Sequence, residues 1–365
     1  MIAIARTVAF DILMAVEKGG YASDLLLTRT SDLDSRDAGL AEEIVFGVLR
    51  YRGSLDYLIR HYSGRPAGRS AQRLDAEVAT ALRIGIYQLR YLERIPAHAA
   101  VGESVELIKR ARKRSAAGFA NAVLRKVDRD PIEWPDNATR LSHPAWLLDR
   151  WSRMFGAAQA EAIALANLAA PIPYERDGRI QDIGSQSIVP LLQLAPGQTF
   201  LDLCAAPGNK TAQALETRIE AVACDLHPRR LRALKTLGIP LIALDGTRPL
   251  PFARKFDRIL LDVPCSGTGT LARNPEIKWK LNPGDLSDLQ ARQIALLDNA
   301  LDVLAPGGLL VYSTCSLESE ENEEVVAKVA ANRSANCAIE VLATMRRLPG
   351  RDPGDGFFAA VIKFL

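Results

Sequence analysis

Cysteine is scarce in this 365-residue sequence: there are five, at positions 204, 224, 265, 315 and 337, with none in the first half and no CxxC pair. An odd set so placed excludes a disulfide framework and a zinc knuckle, and reduced thiols in a cytoplasmic protein are expected. The four histidines, 61, 98, 143 and 227, stand singly, so each is expected to be a surface or capped residue and no metal site is expected. No uncharged apolar run approaches the roughly 18–20 residues that span a bilayer. The opening MIAIARTVAFDILMAV is interrupted by Arg6 and Asp11 and lacks a basic head and a small-residue cleavage end, which argues against export. Internal repeats and low-complexity tracts are missing as well.

What is present is the composition of a globular protein, 48% hydrophobic and 24% charged, in a chain long enough for about two or three domains. The net charge of +3 is unevenly spread: residues 1–130 hold 21 Lys and Arg against 16 Asp and Glu, leaving 25 and 27 for the rest. Such asymmetry hints at a polyanion as partner. Up to about residue 130 the apolar residues recur three or four apart: Val8, Ile12, Leu13 and Val16, then Ile44, Val45, Val48 and Leu49, then Leu82, Ile86 and Leu89. This predicts an all-helical domain of four or more helices over 1–135, broken at Gly19-Gly20, at Ser63 to Ser70 and at Ile95-Pro96. Five prolines between 131 and 180 predict a linker over 136–180, with a helix around Ala157 to Leu168. From Gln198 onward, within a further domain over 181–365, the pattern turns to short apolar strands, TFLDLC, IEAVACD, PLIALD, FDRILLDV and GLLVYST, alternating with helical segments. That alternation predicts a parallel sheet covered by helices on both faces.

Three strand ends carry chemistry. Thr199 to Thr211, TFLDLCAAPGNKT, is a strand running into a small-residue loop that opens a helix, where backbone N–H groups can approach a ligand closely. It has neither GxGxxG nor GxxxxGK[ST] spacing, so a dinucleotide or a triphosphate is disfavoured. Asp225 and Asp245 end the next two strands; a carboxylate at such a place can accept hydrogen bonds from ribose hydroxyls. In LLDVPCSGTG, Leu260 to Gly269, a strand delivers Asp262 and then Cys265, and in VYSTCS, Val311 to Ser316, the next delivers Cys315. Both thiols are expected to face one crevice, where a cysteine can attack as thiolate. Cys224 and Cys337 are read as small buried hydrophobes and Cys204 as a loop residue. The acidic run Glu318 to Glu324, ESEENEE, is read as a helix N-terminus whose charges suit the dipole, with no catalytic task.

LDLCAAPGNKT, DVPCSGTG and YSTCS, in this order and at these spacings, resemble the motifs of the Sun/RsmB family of RNA cytosine methyltransferases, which use S-adenosylmethionine. QDIGSQ at 181–186, NPEIKW at 274–279 and GDGFF at 354–358 resemble further family segments. FGVLR at 46–50, IPAHAAVGESVELIK at 95–109 and FANAVLR at 119–125 resemble the NusB-like RNA-binding domain fused to that enzyme in bacteria. The resemblance implies a Rossmann-like methyltransferase domain preceded by the all-helical one, and formation of 5-methylcytosine in RNA, small-subunit ribosomal RNA above all. Carbon 5 of cytosine is a poor nucleophile, and the ring must be activated first. The resemblance implies Cys315 as the nucleophile that adds to carbon 6, Asp262 as the contact to the base near N3 and its amino group, and Cys265 as the thiol that assists release. It implies that Cys204, Ala205, Ala206, Pro207, Gly208, Asn209 and Lys210 form the cofactor loop, that Asp225 holds the ribose and that Asp245 and Asp262 lie at the same ligand. It gives the basic run Lys109, Arg110, Arg112, Lys113 and Arg114 a place at RNA phosphates, in a monomer that needs neither metal nor membrane.

Two departures from the family stand out. Asn209 replaces a second loop glycine and is expected to tolerate a positive φ there. Only 37 residues run from Pro144 to Ile180, too few for the RRM-like sheet the family carries before QDIGSQ, so 145–180 is expected to form one helix and an extended connection. A noncatalytic RNA-binding or assembly factor, and the same chemistry on tRNA, are the competing readings.

Overall fold

The computed structural model describes residues 2–64, 74–333 and 339–365; Cys337 and positions 65–70 of the second helical break lie outside them. The chain forms two compact units, Met1–Ala170 with Ala272–Trp279, and Pro171–Leu271 with Lys280–Leu365.

The first unit is all-helical: α1 (Ile4–Val16), α2 (Ala22–Arg29), α3 (Ser35–Arg50), α4 (Arg52–Ser63), α5 (Ala76–Tyr91), α6 (Ala97–Arg110), α7 (Ala117–Leu124), α8 (Asn137–Arg140), α9 (Ala145–Phe155) and α10 (Ala157–Leu168). The periodic residues make its core: Ile12, Leu13, Val16, Ile44, Val45, Val48, Leu49, Leu82 and Ile86 are buried, and Val8 and Leu89 half-buried against them. Each fully buried Leu or Ile contributes about 1.5–3 kcal/mol relative to exposure, which is what holds these helices together. Asp34 starts α3 by accepting from the backbone N–H of Arg36 and Asp37. Arg6, the charge inside the apolar opening, is buried and donates to Gln88 at 2.6 Å while pairing with Glu103 at 3.1 Å.

The expected boundaries at 135 and 180 need correction. α8, α9 and α10 belong to the helical unit, which ends at Ala170. Asp136 caps α8 through the Thr139 N–H, and Leu147, Trp151 and Ile163 are fully buried. Residues 145–168 form two helices, not one, divided at Gly156, whose φ of 85° ends α9. Pro144, read as a linker signal, sits at the N-cap of α9, the end where proline costs a helix nothing. The stretch after Ala169 is extended and carries a hairpin of two-residue strands, β1 (Glu175–Arg176) and β2 (Arg179–Ile180); no four-stranded sheet forms here. His143 is buried edge-on to Trp151 rather than at the surface, and burial pushes its pKa down.

Residues 272–279 also join the helical unit. The Arg50 guanidinium donates to the Ala272 carbonyl, the buried Lys278 ammonium donates to the Arg50 carbonyl at 2.8 Å, the Trp279 indole N–H donates to Leu49 O at 2.7 Å, and Glu276 accepts from the Ala22 N–H at 2.9 Å. The NPEIKW stretch is thus a peg in a helical core, set there by hydrogen bonds across more than 220 residues of sequence.

The second unit is built on β3 (Thr199–Asp202), β4 (Glu220–Asp225), β5 (Leu241–Ala243), β6 (Phe256–Asp262), β7 (Leu304–Thr314), β8 (Ile339–Arg347) and β9 (Phe357–Phe364), in the order β5-β4-β3-β6-β7-β9-β8. The five strands expected from sequence are all present and parallel, but the sheet is mixed: β9 runs antiparallel between β7 and β8. Helices α11 (Ile183–Gln186), α12 (Asn209–Leu215), α13 (Pro228–Leu231), α14 (Ile277–Lys280), α15 (Asp285–Asp302) and α16 (Glu323–Arg333) complete the chain. The order reverses between β3 and β6, the switch point at which an open sheet of this kind offers a crevice at its strand C-termini. Asp202, Asp225 and Asp262 end their strands there, and Cys315 follows β7 directly.

Candidate active site

The loop after β3 folds around one glycine. Gly208 has φ 107°, and a Cβ there would come within 2.7 Å of Leu234, so no other residue fits. Asn209 is the first residue of α12 and has no positive φ, so the expected accommodation is not needed; its amide donates to Ile180 O at 3.2 Å. At the end of β3, Asp202 is buried with one oxygen bound by the Thr211 hydroxyl at 2.7 Å and Oδ1 without a hydrogen-bond partner among the described residues. Burial pushes this carboxyl up to about 7. At the end of β4 the Asp225 carboxylate accepts from the N–H groups of His227 at 2.8 Å and Ala206 at 3.3 Å. Asp245 accepts from Thr247 N–H and hydroxyl, which hold its pKa down, so it caps its own turn. Asp262 is gripped from two sides, by Lys210 Nζ at 2.7 Å and by the Ser313 hydroxyl at 2.8 Å. Burial pulls the Lys210 ammonium pKa down, and Asp262, Cys315 and Asp202 overcome it, so the side chain stays charged.

The two cysteines meet. Cys265 Sγ and Cys315 Sγ lie 3.4 Å apart although their loops follow different strands. The Gly269 N–H donates to Cys315 O at 2.8 Å, and a Cβ on Gly269 would strike Gly356 O at 2.4 Å, so this approach needs glycine. The hydrogen bond to Cys315, burial, and the charges of Cys315 and Glu321 push the Cys265 thiol up, keeping it protonated. Cys224 is buried in the sheet, as a small hydrophobe. Cys204 follows β3 and is half-buried, with a thiol pushed up by burial.

The reading of Glu318 to Glu324 as a helix start needs correction too. A 3-10 turn spans Ser319–Glu321, α16 begins only at Glu323, and Glu318, Glu321 and Asn322 are fully buried. The Glu321 carboxylate accepts from Ser266 N–H at 2.8 Å, the Ser266 hydroxyl, the Ser316 hydroxyl at 2.5 Å and Gln293 Nε2 at 2.9 Å. Gln293 also donates to Pro264 O, and Asn322 links the Thr314 hydroxyl to Ser316 O. The supporting roles of Glu321, Gln293 and Asn322 are absent from the sequence reading; an acidic run beginning three residues after a candidate nucleophile was their one signal. Among the five basic residues of 109–114, Lys109 pairs with Glu106 at 2.7 Å, Arg110 with Asp11 at 2.7 Å and Lys113 with Asp75 at 2.9 Å. Among the described residues Arg112 and Arg114 form no ion pair, no group of three metal-ligating side chains occurs, and no helix is long and apolar enough to cross a membrane.

A mixed seven-stranded sheet with a glycine-turned loop at its switch point, acids at successive strand ends and an unpartnered carboxylate oxygen suits a nucleoside ligand, and with the comparisons it defines an S-adenosylmethionine-dependent methyltransferase. Residues 189–363 match the model of the 16S rRNA methyltransferase RsmB/F family, and residues 3–129 that of the NusB family. The chain belongs to the RsmB/F family of ribosomal RNA methyltransferases, with an N-terminal NusB domain. It is 33% identical to the ribosomal RNA small subunit methyltransferase B of Klebsiella pneumoniae over 94% of each chain, and 33% identical to that of Pseudomonas putida over 97% of each. These alignments run over 412 and 429 residues, more than the 365 of this chain, so the relatives carry segments with no counterpart here. A solved methyltransferase homolog from Pyrococcus horikoshii is 26% identical, with a TM-score of 0.53 over 62% of this chain and 97% of that one.

Proposed function

We propose that the protein forms 5-methylcytosine in small-subunit ribosomal RNA through a transient covalent bond between Cys315 and carbon 6 of the base. The observation that carries this is the 3.4 Å approach of Cys315 and Cys265, in the same unit as the Lys210–Asp262 pair. S-adenosylmethionine, when bound, supplies the methyl group as an electrophile. Gly208, Asp225 and the orphaned oxygen of Asp202 suit that ligand, and the loop from Cys204 through Ala205, Ala206 and Pro207 to Lys210 would cradle it, with Asp245 at its margin.

Cys315 attacks carbon 6 as a thiolate, with the protonated Cys265 thiol donating a hydrogen bond to its sulfur. Charge moves onto N3 of the ring, and the Lys210–Asp262 pair supplies the proton that N3 takes up. Carbon 5 thereby becomes nucleophilic enough to accept a methyl group. Loss of the carbon 5 proton to solvent then breaks the carbon–sulfur bond, the electron pair returns to Cys315 while Cys265 again donates to the departing sulfur, and N3 gives its proton back to the Lys210–Asp262 pair. Every side chain in this scheme comes from one chain, so the scheme needs no second copy, and RNA is its partner.

The test is a denaturing gel of the Cys265→Ala protein with protein-free small-subunit RNA and S-adenosylmethionine. A shifted protein–RNA band that vanishes in Cys265→Ala/Cys315→Ala is expected. Absence of the band in a folded protein that binds the cofactor refutes the covalent reading for this RNA.

A further inference from the structure

The supports of the two cysteines converge on one residue. Pro264, Cys265 and Ser266 follow β6 and Cys315 and Ser316 follow β7, and further along the two loops are joined directly, from Gly269 N–H to Cys315 O at 2.8 Å and from Leu317 N–H to the Thr268 hydroxyl at 2.9 Å. The Glu321 carboxylate bonds both. It accepts from the backbone and hydroxyl of Ser266 on one side and from the hydroxyl of Ser316 on the other, and the two hydroxyls lie 3.0 Å apart. Gln293 of α15 closes the ring by donating to Glu321 and to the Pro264 carbonyl. The turn that carries Glu321 is itself pinned: Tyr312 of β7 donates to the Glu321 carbonyl at 2.5 Å. A fully buried carboxylate surrounded by serine, amide and backbone donors, and forming no ion pair among the described residues, is a costly feature for a surface-type acidic run to contain.

We propose that Glu321 is a positioning residue, the clamp that brings the Cys265 and Cys315 loops together and sets the approach of their two thiols. The negative charge that the clamp places near Cys265 also favours its protonated form, behind the larger effects of its hydrogen bond to Cys315 and its burial. The consequence for catalysis rests on the covalent reading above; the geometric claim does not.

Disulfide trapping reads the geometry directly in the full-length protein. With diamide the two thiols lose two protons and two electrons to form one disulfide bond, and diamide is reduced to the hydrazine; peptide mass spectrometry counts the Cys265–Cys315 link apart from the other cysteines. A displacement of about 1 Å can cost about 100-fold in a proximity-limited reaction, so Glu321→Ala is expected to slow trapping by at least about tenfold. Glu321→Gln, which keeps the size and one acceptor, should restore the rate to within about threefold of wild type on the same scale. Should the alanine variant not fold, Ser266→Ala/Ser316→Ala removes the two hydroxyl links and is expected to slow trapping in the same direction. In methyl transfer the folded clamp variants should lose kcat while KM for RNA holds. Unchanged trapping in folded Glu321→Ala, or in Ser266→Ala/Ser316→Ala where the alanine variant does not fold, overturns the proposal, whatever the methylation assay shows. Normal trapping dependence on Glu321 with no adduct from the Cys265→Ala protein would instead sink the covalent reading and leave the clamp standing.

Discussion

Two charged runs invite the same reading and turn out to be opposites. Lys109 to Arg114 is basic and ends α6; three of its five cations are spent on Glu106, Asp11 and Asp75, all exposed or half-exposed partners. Glu318 to Glu324 is acidic and runs into the first turn of α16; Glu321 is sealed from solvent beneath the two cysteine loops. Exposed pairs in water are each worth little and exchange partners easily. A buried carboxylate with four donors cannot lose one without leaving an unsatisfied group in a low-dielectric site. The difference teaches that where a charge sits, rather than how many charges stand in a row, decides whether a run is a solvated face or part of a mechanism.

The comparison predicts that substitutions around the acidic clamp act on chemistry and those in the basic run on binding. The largest effect is expected at the proposed nucleophile: Cys315→Ala should lower methyl transfer to RNA by about 10⁴-fold or more, read as tritium from labelled cofactor. Turnover within tenfold of wild type would remove Cys315 from its role. Next is Lys210→Met, which deletes the 2.7 Å partner of Asp262; a loss of about 10²- to 10⁴-fold in kcat is expected from the missing proton partner. Asp202 gives a stability test. Its folded carboxyl is raised from 3.8 to about 7 by burial, so between those values the folded state holds a proton that the unfolded state has released, and stability falls as pH rises through that window. At about 1.4 kcal/mol per unit the loss is of order 4 kcal/mol by pH 7. Asp202→Asn should flatten the pH dependence of the denaturant midpoint between pH 4 and 7, and an equal slope in both proteins would show the carboxyl to be ordinary.

How much of this was legible in the sequence follows from the range of the forces involved. The five parallel strands were legible because each is an apolar run with turn residues at both ends, and all but the edge strand β5 are largely buried within one sheet. β8 was not: its face is exposed along Glu340 to Thr344, and it pairs only with β9, so no burial pattern marks it. The insertion of β9 between β7 and β8 is a tertiary choice that no local pattern encodes. α9 was hidden by Pro144, which marks a helix start as readily as a break. In the candidate site, strand ends announced Asp262, Cys265 and Cys315, whereas the clamp depends on Gln293 from a distant helix and on burial of Glu321, neither of which a charge count can show. NPEIKW, similarly, reads as a loop until its lysine is found inside the helical unit.

The smallest expected effect lies in the basic run, and it tests the other half of the comparison. If 109–114 meets RNA phosphates as it stands, only Arg112 and Arg114 are unpaired among the described residues, and only they release counterions without first breaking an ion pair. Each phosphate contact contributes about 0.7–0.9 to the slope of log affinity against log salt. Replacing all five cations with glutamine should therefore reduce that slope by about 1.4–1.8, and Arg112→Gln/Arg114→Gln should account for nearly all of it. Filter binding between 50 and 200 mM salt, about the range in which such slopes are resolved, measures both variants. A reduction of about 4 in the five-site variant alone would mean that Lys109, Arg110 and Lys113 exchange their carboxylates for phosphates on binding, and the contrast between the two runs would then narrow to burial alone. A slope unchanged in both variants would leave the run as a solvated helix end and move RNA contact to another face of the helical unit.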